Sequence, residues 1–308
     1  MPRAGSHSSA PDPTSIGEVA APPFALTPNP DKVFAARARR FADLAARGDD
    51  LAPYLLFLSG LCAAQAGILA GLPPVVLPAE DERARSSRHG MPQLGRTGLA
   101  GDPVALATFD ALLAALDGGP MPAQTQAAVT RLRAASPESR GALLDDALAE
   151  QADPTRIAET VLAAAALQVH MTRMAAGLDA DSLKKVANGA CPACGGAPVA
   201  SAVVGREGMA NTRFCTCALC ATEWHVVRVL CLSCGNERGL VFHGIEGGDD
   251  NVKAETCPTC SSYTKIVYQN RDPALDPLAD DVGSLALDLM LAETGKTRFS
   301  VNPFLIGY

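Results

Sequence analysis

Between residues 29 and 188 apolar side chains recur three and four positions apart in alanine- and leucine-rich runs, the repeat that gathers one face of an α-helix. The pattern predicts helices over 30–46, 52–70, 103–116, 122–134, 138–150 and 154–176. Asp102-Pro103, Ser136-Pro137 and Asp153-Pro154 each set a capping side chain before a proline suited to the first helical turn. The stretch 73–102, with its prolines, glycines and the mixed charge run 80–88, breaks the periodicity and reads as an extended connection.

After Asn188-Gly189 the texture changes. Valine, threonine and aromatic residues come in short runs between turn residues, predicting strands near 198–204, 224–230, 239–245 and 264–268. An extended piece rich in proline and aspartate, 271–277, leads to a helix over 278–293 and a short apolar tail. The expected class is α+β: an all-helical N-terminal bundle, two small strand-based modules in tandem, and a C-terminal helix. In residue ranges the expectation is a disordered tail 1–28, a helical domain 29–188, modules 189–228 and 229–272, and a C-terminal segment 273–308.

The longest uncharged run lies between Asp50 and Glu80 and is long enough to cross a bilayer. Pro53, Gln65 and Pro73-Pro74 interrupt it, and apart from Arg47 no basic cluster anchors either end. A face of Tyr54, Leu55, Leu58, Leu61, Cys62 and Ile68 reads as a buried core helix, with Cys62 a small buried hydrophobe and no membrane span. Residues 1–30, rich in proline, alanine and serine, lack the apolar segment of a secretory signal, so a cytoplasmic, reducing setting is expected.

That setting changes the meaning of the cysteines. Eight of the ten fall into four C-x-x-C pairs: Cys191/Cys194, Cys217/Cys220, Cys231/Cys234 and Cys257/Cys260. The unit C-x2-C-x22-C-x2-C occurs twice, offset by 40 residues. Two C-x-x-C loops bring four thiolates onto one ion in the tetrahedral S4 set that zinc or a single iron accepts. This reading outweighs disulfides or redox-active dithiols under reducing conditions. Gly195 and Gly235 follow the first loop of each unit, where the turn calls for positive φ. The spacing allows two consecutive ribbons, Cys191/Cys194/Cys217/Cys220 and Cys231/Cys234/Cys257/Cys260, or a cross-braced pair joining first loop to third. The 10-residue gap between Cys220 and Cys231 favours consecutive ribbons. Cys215 lies outside the repeat, since its position 40 residues on is Glu255, and is expected to be a spare thiol.

The net charge of −7, with seven basic and seven acidic residues over 191–271, offers no basic stripe for nucleic acid. No phosphate-binding glycine loop or nucleophile elbow occurs, and no catalytic residues are expected. The partner-binding candidates are the only tryptophan with its neighbour, Trp224 and His225, and the acidic Asp280 and Asp281; covered or solvated structural roles compete for all four. His170 and His243 read as satisfied core or strand histidines.

The stretch 191–305 resembles the formate dehydrogenase accessory protein family, FdhE. The matching segments are CPACG at 191–195, CALCATEWHVVR at 217–228, CLSCG at 231–235, KAETCPTC at 253–260 and YTKIVY at 263–268. DPLADDVGSLALDL at 276–289 and the closing NPFL at 302–305 complete the set. The resemblance implies a cytoplasmic assembly factor, not an enzyme, that acts on the catalytic subunit of respiratory formate dehydrogenase before its export. It also implies two rubredoxin-like iron sites, with zinc as the alternative ion. A rubredoxin-type electron carrier and a zinc-ribbon nucleic-acid-binding protein remain competing readings.

Overall fold

The computed structural model describes residues 21–149 and 153–306. Helices α1 (Pro30–Ala45), α2 (Ala52–Ile68), α3 (Glu80–Arg88), α4 (Pro103–Ala115), α5 (Ala123–Ala134), α6 (Pro137–Leu148) and α7 (Ile157–Ala176) form the N-terminal half. The anticipated caps are made: Asp102 Oδ1 accepts the N–H groups of Val104 (2.7 Å) and Ala105 (3.0 Å), and Ser136 and Asp153 cap their turns in the same way. Helix α7 is apolar on nearly every side and sits at the centre, packed on α1, α2, α4, α5 and α6. The span 52–71 is apolar and long enough to cross a membrane, yet Leu55, Leu58, Leu61, Cys62 and Gln65 are buried against neighbouring helices.

The C-terminal half is built on one eight-stranded sheet. Its strands are β1 (Ala25–Leu26), β2 (Pro198–Val203), β3 (Arg213–Cys217), β4 (Glu223–Val226), β5 (Val241–His243), β6 (Val252–Thr256), β7 (Ser262–Val267) and β8 (Thr297–Arg298). The order is β1-β4-β3-β2-β7-β6-β5, with β8 alongside β7. Strands β2–β4 and β5–β7 are two antiparallel ribbons of the same topology, joined by the parallel pair β2/β7 with Ser201 opposite Ile266 and Ala202 opposite Val267. Helices α8 (Pro277–Gly283) and α9 (Leu285–Glu293) then cross back over the sheet.

Three expectations need correcting. Residues 1–20 of the anticipated tail lie outside the described residues, but Ala25–Leu26 is ordered as β1, with Ala25 opposite Trp224 and the Phe24 carbonyl accepting the His225 N–H at 2.7 Å. The connection 73–102 contains α3, a helix with no apolar face. Its first turn is acidic (Glu80, Asp81, Glu82) and its last turn basic (Arg85, Arg88), so its charges complement the helix dipole. The single C-terminal helix is two, broken where the Ser284 hydroxyl donates to the Asp280 carbonyl at 2.7 Å and closes the turn.

Helix α8 clamps the two halves together through charged side chains on opposite faces. Toward the bundle, Arg40 pairs with Asp280 at 2.6 Å and Arg37 with Asp276 at 3.3 Å. Toward the sheet, the fully buried Lys265 of β7 donates to the Asp281 carbonyl (2.8 Å) and to Ser284, and pairs with Asp288 at 2.5 Å. Arg298 pairs with Asp281 and Asp288, Asn302 donates to Asp281 at 2.7 Å, and the Tyr263 hydroxyl donates to Asp288 at 2.8 Å.

Candidate metal centres

Each ribbon carries its two C-x-x-C loops at the same end, one before its first strand and one at the turn between its second and third. The backbone of each loop is fixed by the same short hydrogen bonds. In the first ribbon Gly195 N–H reaches the Cys191 carbonyl (2.8 Å), Cys191 N–H reaches Gly196 (2.9 Å) and Cys217 N–H reaches Thr222 (2.9 Å). Forty residues on, Gly235 donates to Cys231 (2.9 Å), Cys231 to Asn236 (2.8 Å) and Cys257 to Ser262 (2.9 Å). The turn demands the left-handed backbone at Gly195 and Gly235, both at φ 76°, and imposes it on Ala221 (56°) and Ser261 (59°) at the second loops.

The loops gather the sulfurs into two sets, Cys191/Cys194/Cys217/Cys220 and Cys231/Cys234/Cys257/Cys260, with all four Sγ atoms of each set within 4.8 Å of one another. The grouping is the consecutive one; no cross-braced set forms among the described residues. The nearest sulfur pairs are Cys191–Cys220 at 3.6 Å and Cys194–Cys217 at 3.5 Å, and in the second set Cys231–Cys260 at 3.6 Å and Cys234–Cys257 at 3.7 Å. A tetrahedron with metal–sulfur bonds of about 2.3 Å has edges of about 3.8 Å, so the residues present fit a single zinc or iron ion.

Polar groups around the sulfurs favour thiolates. The N–H groups of Leu219 and Cys220 approach Cys217 Sγ at 3.4 Å, and Ser262 Oγ lies 2.9 Å from Cys260 Sγ. Burial works against charge on Cys217, yet hydrogen bonds from its three partner cysteines and the Cys220 N–H hold it well below the ordinary thiol value. Cys191 is pushed well above that value, first by burial and then by the crowding of its partners. In the second set desolvation opposes the Ser262 hydrogen bonds, which still bring Cys260 down to about 6. Four sulfurs that cannot all ionise alone are a set that a cation stabilises.

The two sets differ in what covers them. All four cysteines of the first are buried and belong to the main hydrophobic core with the helical bundle. The Ala193 carbonyl accepts the Leu94 N–H at 2.8 Å, and the Ala218 carbonyl accepts Gln168 Nε2 at 2.8 Å. Gln168 is tied in turn to Gln65 of α2, whose amide also donates to the Ala165 carbonyl at 2.8 Å. A methyl group built on Gly196 would meet the sulfurs of Cys194 and Cys217 at 3.4 Å and Arg96 Nη1 at 3.8 Å, so that glycine leaves room for both loops and for Arg96. In the second set Cys231 and Cys257 are buried, while Cys234 and Cys260 are exposed.

The partner-binding candidates fare differently from the cysteines. Trp224 is 1% exposed, covered by β1, and its indole N–H donates to the Asn188 carbonyl at 3.2 Å, so it is a core residue and not a docking surface. Asp280 and Asp281 are 2% and 0% exposed, so the solvated acidic face is corrected to two buried ion pairs that hold α8. His225 is half-buried, its ring edge-on to Phe214 at 5.6 Å. His170 lies in the core, 3.8 Å from Asp102, and burial lowers its pKa; His243 Nε2 shares a hydrogen bond with Thr256 at 2.9 Å. Cys62 and Cys215 are buried away from both sets, and desolvation pushes each thiol up to about 12. The buried Lys265 was missed; a lysine inside the apolar run of β7 was its only signal.

Three family models match the chain: FdhE N-terminal over residues 22–188, FdhE central domain over 190–228 and FdhE C-terminal domain over 229–305. A curated FdhE homologue from Rhizobium meliloti is 40% identical over 300 residues, covering 97% of this chain and 98% of the relative. One from Pseudomonas aeruginosa is 38% identical, covering 92% and 93%. The crystal structure of the FdhE protein from Pseudomonas aeruginosa superposes with a TM-score of 0.81 at 36% identity, covering 93% of this chain and 99% of that one.

Proposed function

The chain belongs to the FdhE family, and we propose that it is a cytoplasmic, non-enzymatic accessory factor that binds the catalytic subunit of respiratory formate dehydrogenase before that subunit is exported. The observation that carries this reading is the end-to-end match to FdhE relatives combined with two closed four-cysteine cages. A tetrahedral ion held by four thiolates has no coordination position left for a substrate, so its work is to hold the surface around it in shape. The ligands are Cys191, Cys194, Cys217 and Cys220 for one ion and Cys231, Cys234, Cys257 and Cys260 for the other. Iron is favoured over zinc by the family likeness, and the donor set accepts either.

The test is anaerobic affinity purification of the tagged full chain from cells induced for formate dehydrogenase. Recovery of the catalytic subunit by the wild type, and its loss with Cys231→Ser or Cys191→Ser, is the expected result. Wild-type chain that never recovers the subunit overturns the reading.

One observation favours a second reading. Cys234 and Cys260 reach solvent, as the exposed thiolates of a rubredoxin-type electron carrier do. That reading requires a reddish protein whose thiolate-to-iron absorption bleaches reversibly on reduction; a colourless chain with two zinc ions excludes it.

A further inference from the structure

The repeat supplies an internal comparison, because every position of the first ribbon has a counterpart 40 residues on. In the first ribbon the loop tips are an interface. Pro192, Ala193 and Ala218 are buried, Pro92 stands against Gly195, and both tip carbonyls, those of Ala193 and Ala218, receive donors from the helical half. In the second ribbon the counterparts of those carbonyls are Ser233 and Pro258. Both residues are exposed, as are Cys234, Thr259 and Cys260, and no donor among the described residues reaches either carbonyl. The same backbone shape that docks the bundle at one end of the sheet is presented bare at the other.

The bare tip continues into an open strand edge. A methyl group on Gly239 would lie 3.4 Å from Pro258 Cγ, so the start of β5 runs beside the second loop. Strand β5 has β6 on one side and, among the described residues, no strand on the other, and its Val241 and Phe242 are 51% and 40% exposed. The tip therefore offers carbonyl acceptors and a free row of main-chain groups, with one exposed apolar side chain on each face of the edge strand. With an ion bound its charge would be negative, four thiolates leaving two net negative charges around a divalent ion and one around a trivalent ion, while the flanking Glu237 and Arg238 cancel.

We infer that the free end of the second ribbon, loop tips and β5 edge together, docks an extended, non-acidic polypeptide segment of the client. The segment donates main-chain N–H groups to the Ser233 and Pro258 carbonyls, as Leu94 does at Ala193, and adds a strand beside β5 with its apolar side chains on Val241 and Phe242. Nucleic acid is repelled by the same thiolate charge. This inference rests on the accessory-factor reading and names the surface through which it works.

The test uses the full, metal-loaded chain and purified formate dehydrogenase catalytic subunit, with metal content confirming that each variant keeps both ions. Thr259→Asp and Phe242→Asp are expected to weaken binding at least 10-fold, and Thr130→Asp, on the exposed face of α5, to leave it unchanged. A photoreactive benzoyl-phenylalanine at position 259 is expected to cross-link a single extended, non-acidic stretch of the subunit, while one at position 130 gives no product. This arm decides the matter if an aspartate variant loses an ion. Wild-type affinity in both aspartate variants, or cross-links from position 130 alone, overturns the inference while the function stands. A wild-type chain that does not bind the subunit sinks the accessory-factor reading and this surface with it.

Discussion

Challenging the zinc-loaded chain with excess of a strong chromogenic chelator should release its two ions in separate phases. At the second set the sulfurs of Cys234 and Cys260 face solvent, so a chelator can displace them without prior unfolding. At the first set the bundle must lift away. That breaks the hydrogen bonds Leu94–Ala193 and Gln168–Ala218, at about 1 kcal/mol each. It also exposes the Leu94 side chain, 2% exposed when docked, at about 2 kcal/mol. The sum of about 4 kcal/mol corresponds to roughly three orders of magnitude in rate at 1.4 kcal/mol per factor of ten. Stopped-flow absorbance of the chelator–zinc complex should show one equivalent released fast and one slowly, and Cys234→Ser should abolish the fast equivalent alone. Gln168→Ala should speed the slow phase by about five-fold, the effect of one hydrogen bond. Release of both ions in one phase, or loss of the slow equivalent in Cys234→Ser, would show that burial by the bundle does not govern ion retention.

Three further outcomes follow from the geometry. Cys231→Ser should lower the metal content from two ions to one while the far-ultraviolet helical signal persists; simultaneous loss of both ions contradicts the consecutive grouping. Lys265→Met leaves the Asp281 and Asp288 carboxylates buried without their ammonium partner, and chemical denaturation should show a loss of about 3–5 kcal/mol, with a change below 1 kcal/mol refuting the clamp. The Asp281 carboxyl is held below its ordinary value because, against desolvation, Lys265 and Arg298 favour its charge. A depressed folded pKa contributes stability that is present above the unfolded value of about 3.9 and lost as pH falls through the folded one. Its side-chain carbon resonance should therefore stay at the ionised position from neutral pH down to about 4, and titration near 6 would refute this.

The cysteine spacing carried both four-sulfur sets and their consecutive grouping into view, because a C-x-x-C loop closes through bonds among its own few residues and needs nothing from the rest of the chain. Helix starts were legible for the same local reason, and Asp102, Ser136 and Asp153 accept the N–H groups that their place before proline predicts. What local pattern could not carry is what each element meets. Helix α3 has no apolar face, so its only signal was its charge order, acidic residues first and arginines last. Asp280 and Asp281 look like a solvated helix start until Arg40, 240 positions earlier, and Lys265 on β7 arrive beside them. The difference between the two metal centres belongs to the same class. Their loops are the same construction repeated, and residues 92–96 and Gln168 bury one of them from far away in the chain. An ion's local geometry is thus set by a few dozen residues, and its accessibility by the half of the protein that carries no cysteine pair at all. That division explains how one motif used twice gives one four-cysteine set that anchors the bundle and another left open to solvent.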